Sequence, residues 1–365
     1  MNIPYISAGE VYKNFSMEDA ISCTENVYKQ KSLGKTVVWP TVFYEFDPGH
    51  ADMDIKSGYL PEMHIFGHKT VAFMENNVSK GLPDLVGLIV VFSSETGMPI
   101  GLVDGSAVTG MRTGAAGAIG AKYLARSDSK NALIVGTGNQ ARFQIAALLK
   151  VFPALEKIRI ANPRRAERAA AFASGIGDIL KNDFAVDTSA VSFEAVTDMK
   201  EAVSDSDIII TVTPSRTPLI MKEWVKPGTH FSCIGADMEG KEEIDPEIFE
   251  NAVVYVDDIV HCTKAGEIEI PLKLGKLTEN RISGEISIGE KATIDMAYMT
   301  ELSGKTEEEL FEDLKGVIFL NPHYEYGNSY EPQYLMADEY LSGNVREKLE
   351  VAKRSAALYR SRYGL

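Results

Sequence analysis

The stretch Asn131-Ala-Leu-Ile-Val-Gly-Thr-Gly-Asn-Gln-Ala141 leads into Arg142-Phe-Gln-Ile-Ala-Ala-Leu-Leu149, a pattern that reads as a buried strand, a glycine turn and an amphipathic helix. Such a unit is built to hold a dinucleotide pyrophosphate. Gly136 takes turn geometry denied to residues with a β-carbon, Gly138 lets backbone approach the phosphates, and Ala141 allows close packing of helix on strand. Thr137, Asn139 and Gln140 complete the turn. There the unpaired N–H groups and the positive end of the helix dipole favour an anion. A lone GxGxxA carries little specificity, but the next strand, Lys157-Ile-Arg-Ile-Ala161, follows about twenty residues later, as a nucleotide-binding unit requires. An NAD-specific strand would end in an acid that binds both ribose hydroxyls, whereas this one runs into Asn162-Pro-Arg-Arg165. Asn162 removes the repulsion toward a 2′-phosphate, and Arg164 or Arg165 can pair with it, so NADP(H) is favoured over NAD(H).

Three further places carry chemistry. Ile208-Ile-Ile-Thr-Val-Thr213 is a short β-branched run ending at Pro214-Ser215, as expected of a central strand that empties into a cofactor crevice. Asp237 follows the strand His230–Ile234 and the flexible Gly235-Ala236, at the carboxyl edge where open α/β sheets place ligands; the plainer alternative is a turn-forming aspartate. Arg112 sits in a helix-like run of glycine and alanine, Ser106 to Arg126, where a guanidinium is expensive to bury unless it meets an anion. The small residues around it suit close approach of either a second backbone or a ligand.

Around these residues the order strand, helix, strand, helix recurs from Lys130 onward: Ala132–Val135, Gln140–Lys150, Ile158–Ala161, Ala166–Ala173, then Asp207–Thr213, Thr229–Ile234 and Val253–Val256. The alternation predicts an α/β fold with a Rossmann-like, doubly wound parallel sheet. Before it, a helix over 16–33 is specified by Ser16 as N-cap, Asp19 near the capping-box position and Gly34 as stop. Val37–Phe46, Asp54–Tyr59, His68–Met74, Leu85–Phe92 and Ile100–Val103 read as strands, with turn chemistry at Asp47-Pro-Gly and Glu95-Thr-Gly. The expected domains are an α+β substrate and dimerisation domain, 1–125, joined by about 318–365, and a nucleotide domain, 126–317. The aromatic Gly316–Pro332 and a charged helix, Gly343 to Arg362, form the tail.

Composition excludes other classes. At 365 residues, 45% hydrophobic and 24% charged, the chain describes a folded protein with room for two domains. Its formal charge of −15 works against nucleic acid and anionic membrane surfaces as partners. No run of eighteen apolar residues and no basic, then apolar, leader is present, which predicts neither export nor a membrane span. Cys23, Cys233 and Cys262 form no CxxC, fitting buried thiols in a reducing, cytoplasmic setting, and six scattered histidines give no metal-ligand spacing, so no metal is expected.

Several ordered motifs together resemble the ornithine cyclodeaminase and mu-crystallin family. They are Gly67-His-Lys-Thr-Val71, Lys80-Gly-Leu-Pro83, Gly97-Met-Pro-Ile-Gly-Leu-Val-Asp104, Thr109-Gly-Met-Arg-Thr-Gly-Ala-Ala116, the glycine turn, Thr211-Val-Thr-Pro-Ser215 and Gly235-Ala-Asp-Met-Glu-Gly-Lys-Glu-Glu-Ile-Asp245. The resemblance covers most of the chain. It implies a nicotinamide cofactor, a homodimer, a small amino-acid or imine substrate, and chemistry at an α-amino carbon. By position, Lys69 falls on the family's active-site lysine, Arg112 on the arginine that grips the substrate carboxylate and Asp237 on the catalytic aspartate. Thr113, Thr213, Pro214, Ser215 and Gly235 join the cofactor contacts. Ornithine-type cyclodeamination leads, in which an α-amino acid is oxidised to an imine, cyclises and loses ammonia. The alternatives are an NAD(P)H-dependent imine or 2-oxo acid reductase or amino-acid dehydrogenase, and a non-catalytic NADP(H)-binding protein like mu-crystallin.

The chain also departs from the family. Thr41 stands where many relatives carry a basic residue that assists the carboxylate clamp; Lys56 is the candidate substitute, provided strand alternation points it to the same face, with an ordinary solvated lysine as the equal alternative. The tail reads Phe319-Leu-Asn-Pro-His-Tyr-Glu-Tyr-Gly327 in place of an Asp-Ser-Thr-Gly-like strand. Tyr324, Tyr326 and Tyr330 then either shape a pocket or pack at a domain junction.

Overall fold

A computed structural model describes residues 2–285, residues 306, 307, 309 and 311, and two short antiparallel strands, Ile318–Leu320 and Tyr334–Met336. Met1–Ser287 form one compact unit and Ile288–Leu365 a second, and every site residue expected from the sequence lies in the first. Apart from Ile318–Leu320, the tail expectations, including Tyr324, Tyr326, Tyr330 and the helix 343–362, fall outside the described residues.

The chain opens with β1 (Tyr5–Ile6), α1 (Ala8–Asn14) and α2 (Met17–Ser32). As the sequence predicts, α2 starts at a capping box. The Ser16 hydroxyl accepts from the Asp19 N–H at 3.1 Å, and the Asp19 carboxylate accepts from the Ser16 N–H at 3.0 Å. Then come β2 (Val37–Val38), β3 (Val42–Asp47), β4 (Ala51–Leu60), β5 (Ile65–Met74), β6 (Leu85–Ser93), β7 (Pro99–Asp104) and α3 (Gly105–Leu124). The strands form a seven-stranded sheet in the order β1-β7-β6-β5-β4-β2, with β3 also on β4. All its pairings but β1 with β7 are antiparallel.

Strand alternation sorts this sheet into two faces. The face toward α3 carries Asp52, Asp54 and Lys56 on β4 opposite Phe73, Val71 and Lys69 on β5. Contact is close because Gly87 meets the start of the helix. A Cβ on Gly105 would lie 2.7 Å from the Gly87 carbonyl carbon. The other face leaves Val42, Tyr44, Val86 and Leu88 exposed.

The nucleotide-type half follows: β8 (Asn131–Val135), α4 (Asn139–Val151), β9 (Lys157–Ala161), α5 (Ala166–Phe184), β10 (Ser192–Ala195), α6 (Met199–Asp205), β11 (Ile208–Thr211), β12 (Arg216–Ile220), β13 (His230–Cys233) and β14 (Glu242–Ile244). Five of these strands form an all-parallel sheet in the order β10-β9-β8-β11-β13, which reverses direction between β8 and β11. That reversal is where such sheets bind ligands. β8 and β11 are buried on both faces, as their apolar runs require.

α3 joins the halves. A Cβ on Gly110 would lie 2.4 Å from the Phe143 ring of α4, and one on Gly114 would lie 2.5 Å from the Phe143 carbonyl oxygen. The small-residue run thus serves close approach of a second backbone, one of the two readings open in the sequence.

Two details differ from expectation. Val253–Val256 does not extend the parallel sheet. β15 (Val254–Val256) pairs instead with β16 (Ile282–Glu285), because its burial alternates, Val254 in, Tyr255 out, Val256 in, whereas an inner parallel strand is covered on both sides. Between them lie α7 (Ile259–Ala265) and α8 (Glu269–Lys273). Cys23 is exposed rather than buried. Among the described residues no helix is long and apolar enough to cross a membrane, and no group of three side chains could hold a metal.

Candidate active site

The glycine turn after β8 sits at the reversal point. Gly136 has φ +124°, and a Cβ there would lie 2.6 Å from the Val212 carbonyl oxygen, so only glycine fits against the end of β11. Gly138 is the N-cap of α4, without a side-chain cap, and nothing lies within 4 Å of where its Cβ would be. The space beside Gly138 at the start of α4 is therefore open, and a helix N-terminus of this kind suits a pyrophosphate. Ala141 is fully buried against the strand. These features fit a dinucleotide.

The other expected cofactor residues divide by what already holds them. Asn162 donates to the Thr137 hydroxyl at 2.7 Å and accepts from the N–H groups of Arg164 and Arg165 at 3.2 and 3.0 Å. It staples the two βα turns together and leaves both arginine side chains exposed beside them. Asn139 is exposed at the turn, whereas Gln140 gives its side-chain N–H to the Gly110 carbonyl at 3.2 Å, and Thr113 offers its carbonyl to Gln144 at 2.9 Å. Pro214 is exposed, but the Ser215 hydroxyl turns back into its own loop, donating to the Thr217 carbonyl at 2.7 Å. Thr213 and Gly235 share a partner the sequence reading did not single out. Glu243 accepts from the Thr213 N–H at 2.6 Å, the Thr213 hydroxyl at 2.7 Å and the Gly235 N–H at 2.8 Å. Burial pushes this carboxyl up, against the pull of those bonds. The signal was a pair of acids, Glu242-Glu243, running directly into the apolar Ile244, a strand that the structure buries at all three positions.

The substrate side is built on the inner face of the first sheet. Lys69 donates to the Thr109 hydroxyl at 2.9 Å, and that hydroxyl donates in turn to the Gly105 carbonyl at 2.6 Å. Burial, then the cationic fields of Arg112 and Lys56, lower the Lys69 ammonium to about 7, with Asp54 opposing. Arg112 lies three residues beyond Thr109 on α3, hence on the same helix face. It is exposed and makes no ion pair among the described residues. Its field also reaches Tyr28 of α2, whose phenol burial pushes up. Lys56 stands directly opposite Lys69 in the strand register, so it shares the face, as a clamp substitute for Thr41 must, and its ammonium lies 3.6 Å from Asp54.

Asp237 is exposed and pairs with Lys241 at 2.5 Å. Burial raises the Asp52 carboxyl, and the next largest cause is Asp237, followed by Asp54 and Glu45, with Lys241 opposing. Asp237 thus comes near enough to Asp52 of β4 for their charges to interact, while Lys56 and Asp54 of the same strand act on Lys69.

The ornithine cyclodeaminase/mu-crystallin family model matches residues 5–301. A second model, the probable helicase winged helix domain, matches only residues 285–331, almost all outside the described residues. An alanine dehydrogenase of Archaeoglobus fulgidus is 34% identical over 286 residues, 77% of this chain and 83% of that one. Among solved structures, an archaeal alanine dehydrogenase dimer with bound NAD superposes with a TM-score of 0.71 at 34% identity, covering 79% of this chain and 84% of that one. The Thermococcus litoralis Delta(1)-pyrroline-2-carboxylate reductase in complex with NADH and L-proline gives 0.71 at 30% identity, covering 78% and 85%. With its glycine turn, its parallel sheet and the match over 5–301, the chain belongs to the ornithine cyclodeaminase/mu-crystallin family.

Proposed function

We propose that the protein interconverts a small α-imino or 2-oxo acid and the corresponding α-amino acid, with net turnover of a nicotinamide cofactor. The observation that carries this reading is the half-buried Lys69, held by Thr109 and lowered to about 7, on the face that it shares with Lys56 and beside Arg112. The alanine dehydrogenase and pyrroline-carboxylate reductase likeness at 30% identity or more supports it. When bound, the cofactor supplies or accepts a hydride at the substrate α-carbon. Gly136, Thr137, Gly138 and Asn139 would hold its phosphates.

The chain's own residues do the rest. Arg112 pairs with the substrate carboxylate, and Lys56 adds a second cation on the same face. Lys69 populates both protonation states near neutral pH, so it gives or takes the proton at the substrate nitrogen or carbonyl oxygen. Asp237, exposed beside Lys241, relays that proton to water. Replacing Arg112 with Ala is expected to raise the substrate KM at least about tenfold, the loss of one charge-assisted pair, with a smaller change in kcat. An unaltered KM would remove Arg112 from the clamp.

Ornithine-type cyclodeamination is the second reading. Burial and then the charges of Asp237, Asp54 and Glu45 raise Asp52, so acidic side chains gather at one edge of the site, which suits a distal ammonium on the substrate. The two readings separate in one assay: 1-pyrroline-2-carboxylate, or pyruvate with ammonia, should change nicotinamide absorbance, whereas ornithine should release ammonia without such a change. The first outcome is expected. Dinucleotide binding with neither response would leave a binding protein of the mu-crystallin kind.

Arg164 and Arg165, exposed beside Asn162, favour NADP(H). Fluorescence titration should therefore show tighter binding of NADPH than NADH, and the reverse order would assign the site to NAD(H). The exposed face with Val42, Tyr44, Val86 and Leu88 fits a second copy of the chain, in keeping with the dimer of the archaeal neighbour. Light scattering should give twice the chain mass; a monomer at micromolar concentration would refute this.

A further inference from the structure

We infer that Glu243 is a positioning residue that ties the cofactor-side loop after β11 to the acid-bearing loop after β13, so that cofactor binding and the placement of Asp237 are coupled through one carboxylate. The inference rests on the nicotinamide reading above. Glu243 is fully buried in β14. Its Oε1 accepts from the Thr213 N–H and hydroxyl at 2.6 and 2.7 Å, and its Oε2 from the Gly235 N–H at 2.8 Å. Those donors leave adjacent parallel strands at their carboxyl ends, where the ligand crevice of such a sheet lies.

The fit is tight. A Cβ on Gly235 would lie 2.2 Å from the Thr213 carbonyl oxygen and 2.7 Å from the Glu243 carboxyl carbon, so glycine is required for the two loops to meet. Beneath them Glu267, pushed up to about 8 by burial, accepts from the N–H groups of Glu243 and Ile244 at 2.8 Å and fixes β14 itself. At the far end of the loop, the buried Glu269 accepts from the Gly240 N–H at 2.8 Å. Two buried carboxylates thus fasten the segment that carries Asp237. Only Glu243 also grips Thr213.

The chemistry demands a carboxylate. All the groups facing it are donors, so both oxygens must accept, and an amide of the same shape would turn an NH₂ toward a buried N–H. Glu243→Gln and Glu269→Gln on the full chain separate coupling from simple support. Three quantities are compared: NAD(P)H affinity by fluorescence, the thermal midpoint without cofactor, and amide exchange at Thr213 and Gly235. Glu243→Gln should weaken cofactor binding at least about tenfold, the worth of one hydrogen bond to a charged group, and speed exchange at both amides. Glu269→Gln should lower the midpoint yet leave cofactor affinity unchanged. A Glu243→Gln protein with a lower midpoint and native affinity would make Glu243 a structural strut and overturn the inference. Should that variant fail to fold, the native protein decides: added cofactor must slow exchange at Thr213 and Gly235 together, and slowing at one alone overturns the coupling. Native protein that binds neither dinucleotide overturns the nicotinamide enzyme itself, whereas binding without the paired response overturns only the coupling.

Discussion

Replacing Asp237 with Asn is expected to lower turnover by about 10²–10⁴-fold, the usual contribution of a positioned acid or base, while leaving cofactor affinity unchanged. The substitution keeps the shape of the side chain and removes only the charge that pairs with Lys241. That pair is exposed on the aspartate side, so its loss should matter little to stability. The Asp52 carboxyl, raised in part by Asp237, should fall in the variant. Steady-state kinetics beside a cofactor titration checks the prediction. Unchanged turnover would remove Asp237 from the chemistry, and a parallel loss of cofactor affinity would place it in the nucleotide site instead.

The second large effect belongs to Lys69 and appears in two quantities of opposite sign. Lys69→Met should cost at least about 10²-fold in kcat/KM, because it removes the group that handles the substrate proton. In the native enzyme kcat/KM for reduction should fall as pH rises through about 7, and for amino-acid oxidation it should rise through the same value, since the free lysine sits there. Stability moves the other way on mutation. Folding lowers this pKa from 10.5 to about 7, so between those values the unfolded chain holds a proton that the native state has released. The lysine's cost to folding is therefore full below about 7 and fades as pH rises toward 10.5. Lys69→Met should raise the thermal midpoint more at pH 6 than at pH 9, by comparison of the two scans. A flat rate profile near 7, or an equal gain in midpoint at both pH values, would contradict the burial of a functional lysine.

Where a residue's role depends on its near neighbours in sequence, that role was legible. Ser16 and Asp19 announce the start of α2 because a capping box closes over three residues, and Gly136 and Gly138 announce the phosphate turn because strand, turn and helix are contiguous. Roles that depend on distant partners were not. Glu243 gains its meaning from Thr213 and Gly235, which only the parallel pairing of β11 with β13 brings together. The opposition of Lys56 and Lys69 depends on the β4–β5 register, where a one-residue slip would turn either side chain to the outer face. The glycine run of α3 left a ligand and a second helix equally open until Phe143 was placed against it. In the last apolar segment, Val253–Val256, pattern alone could not say which partner strand it would find. Lys69 and Asp237 were assigned by family position; that Asp54 acts on Lys69 and Asp237 on Asp52 is a relation between distant residues that no spacing in the sequence displays.

A crystal structure of the protein with NAD(P)H and a bound imino or amino acid tests the common site most directly. The expected result is one substrate whose carboxylate meets Arg112, with the Lys69 ammonium and the Asp237 carboxylate both within hydrogen-bond reach of its reacting end, directly or through a single water. A substrate held by only one of those two side chains, with the other turned to a separate surface, would contradict it.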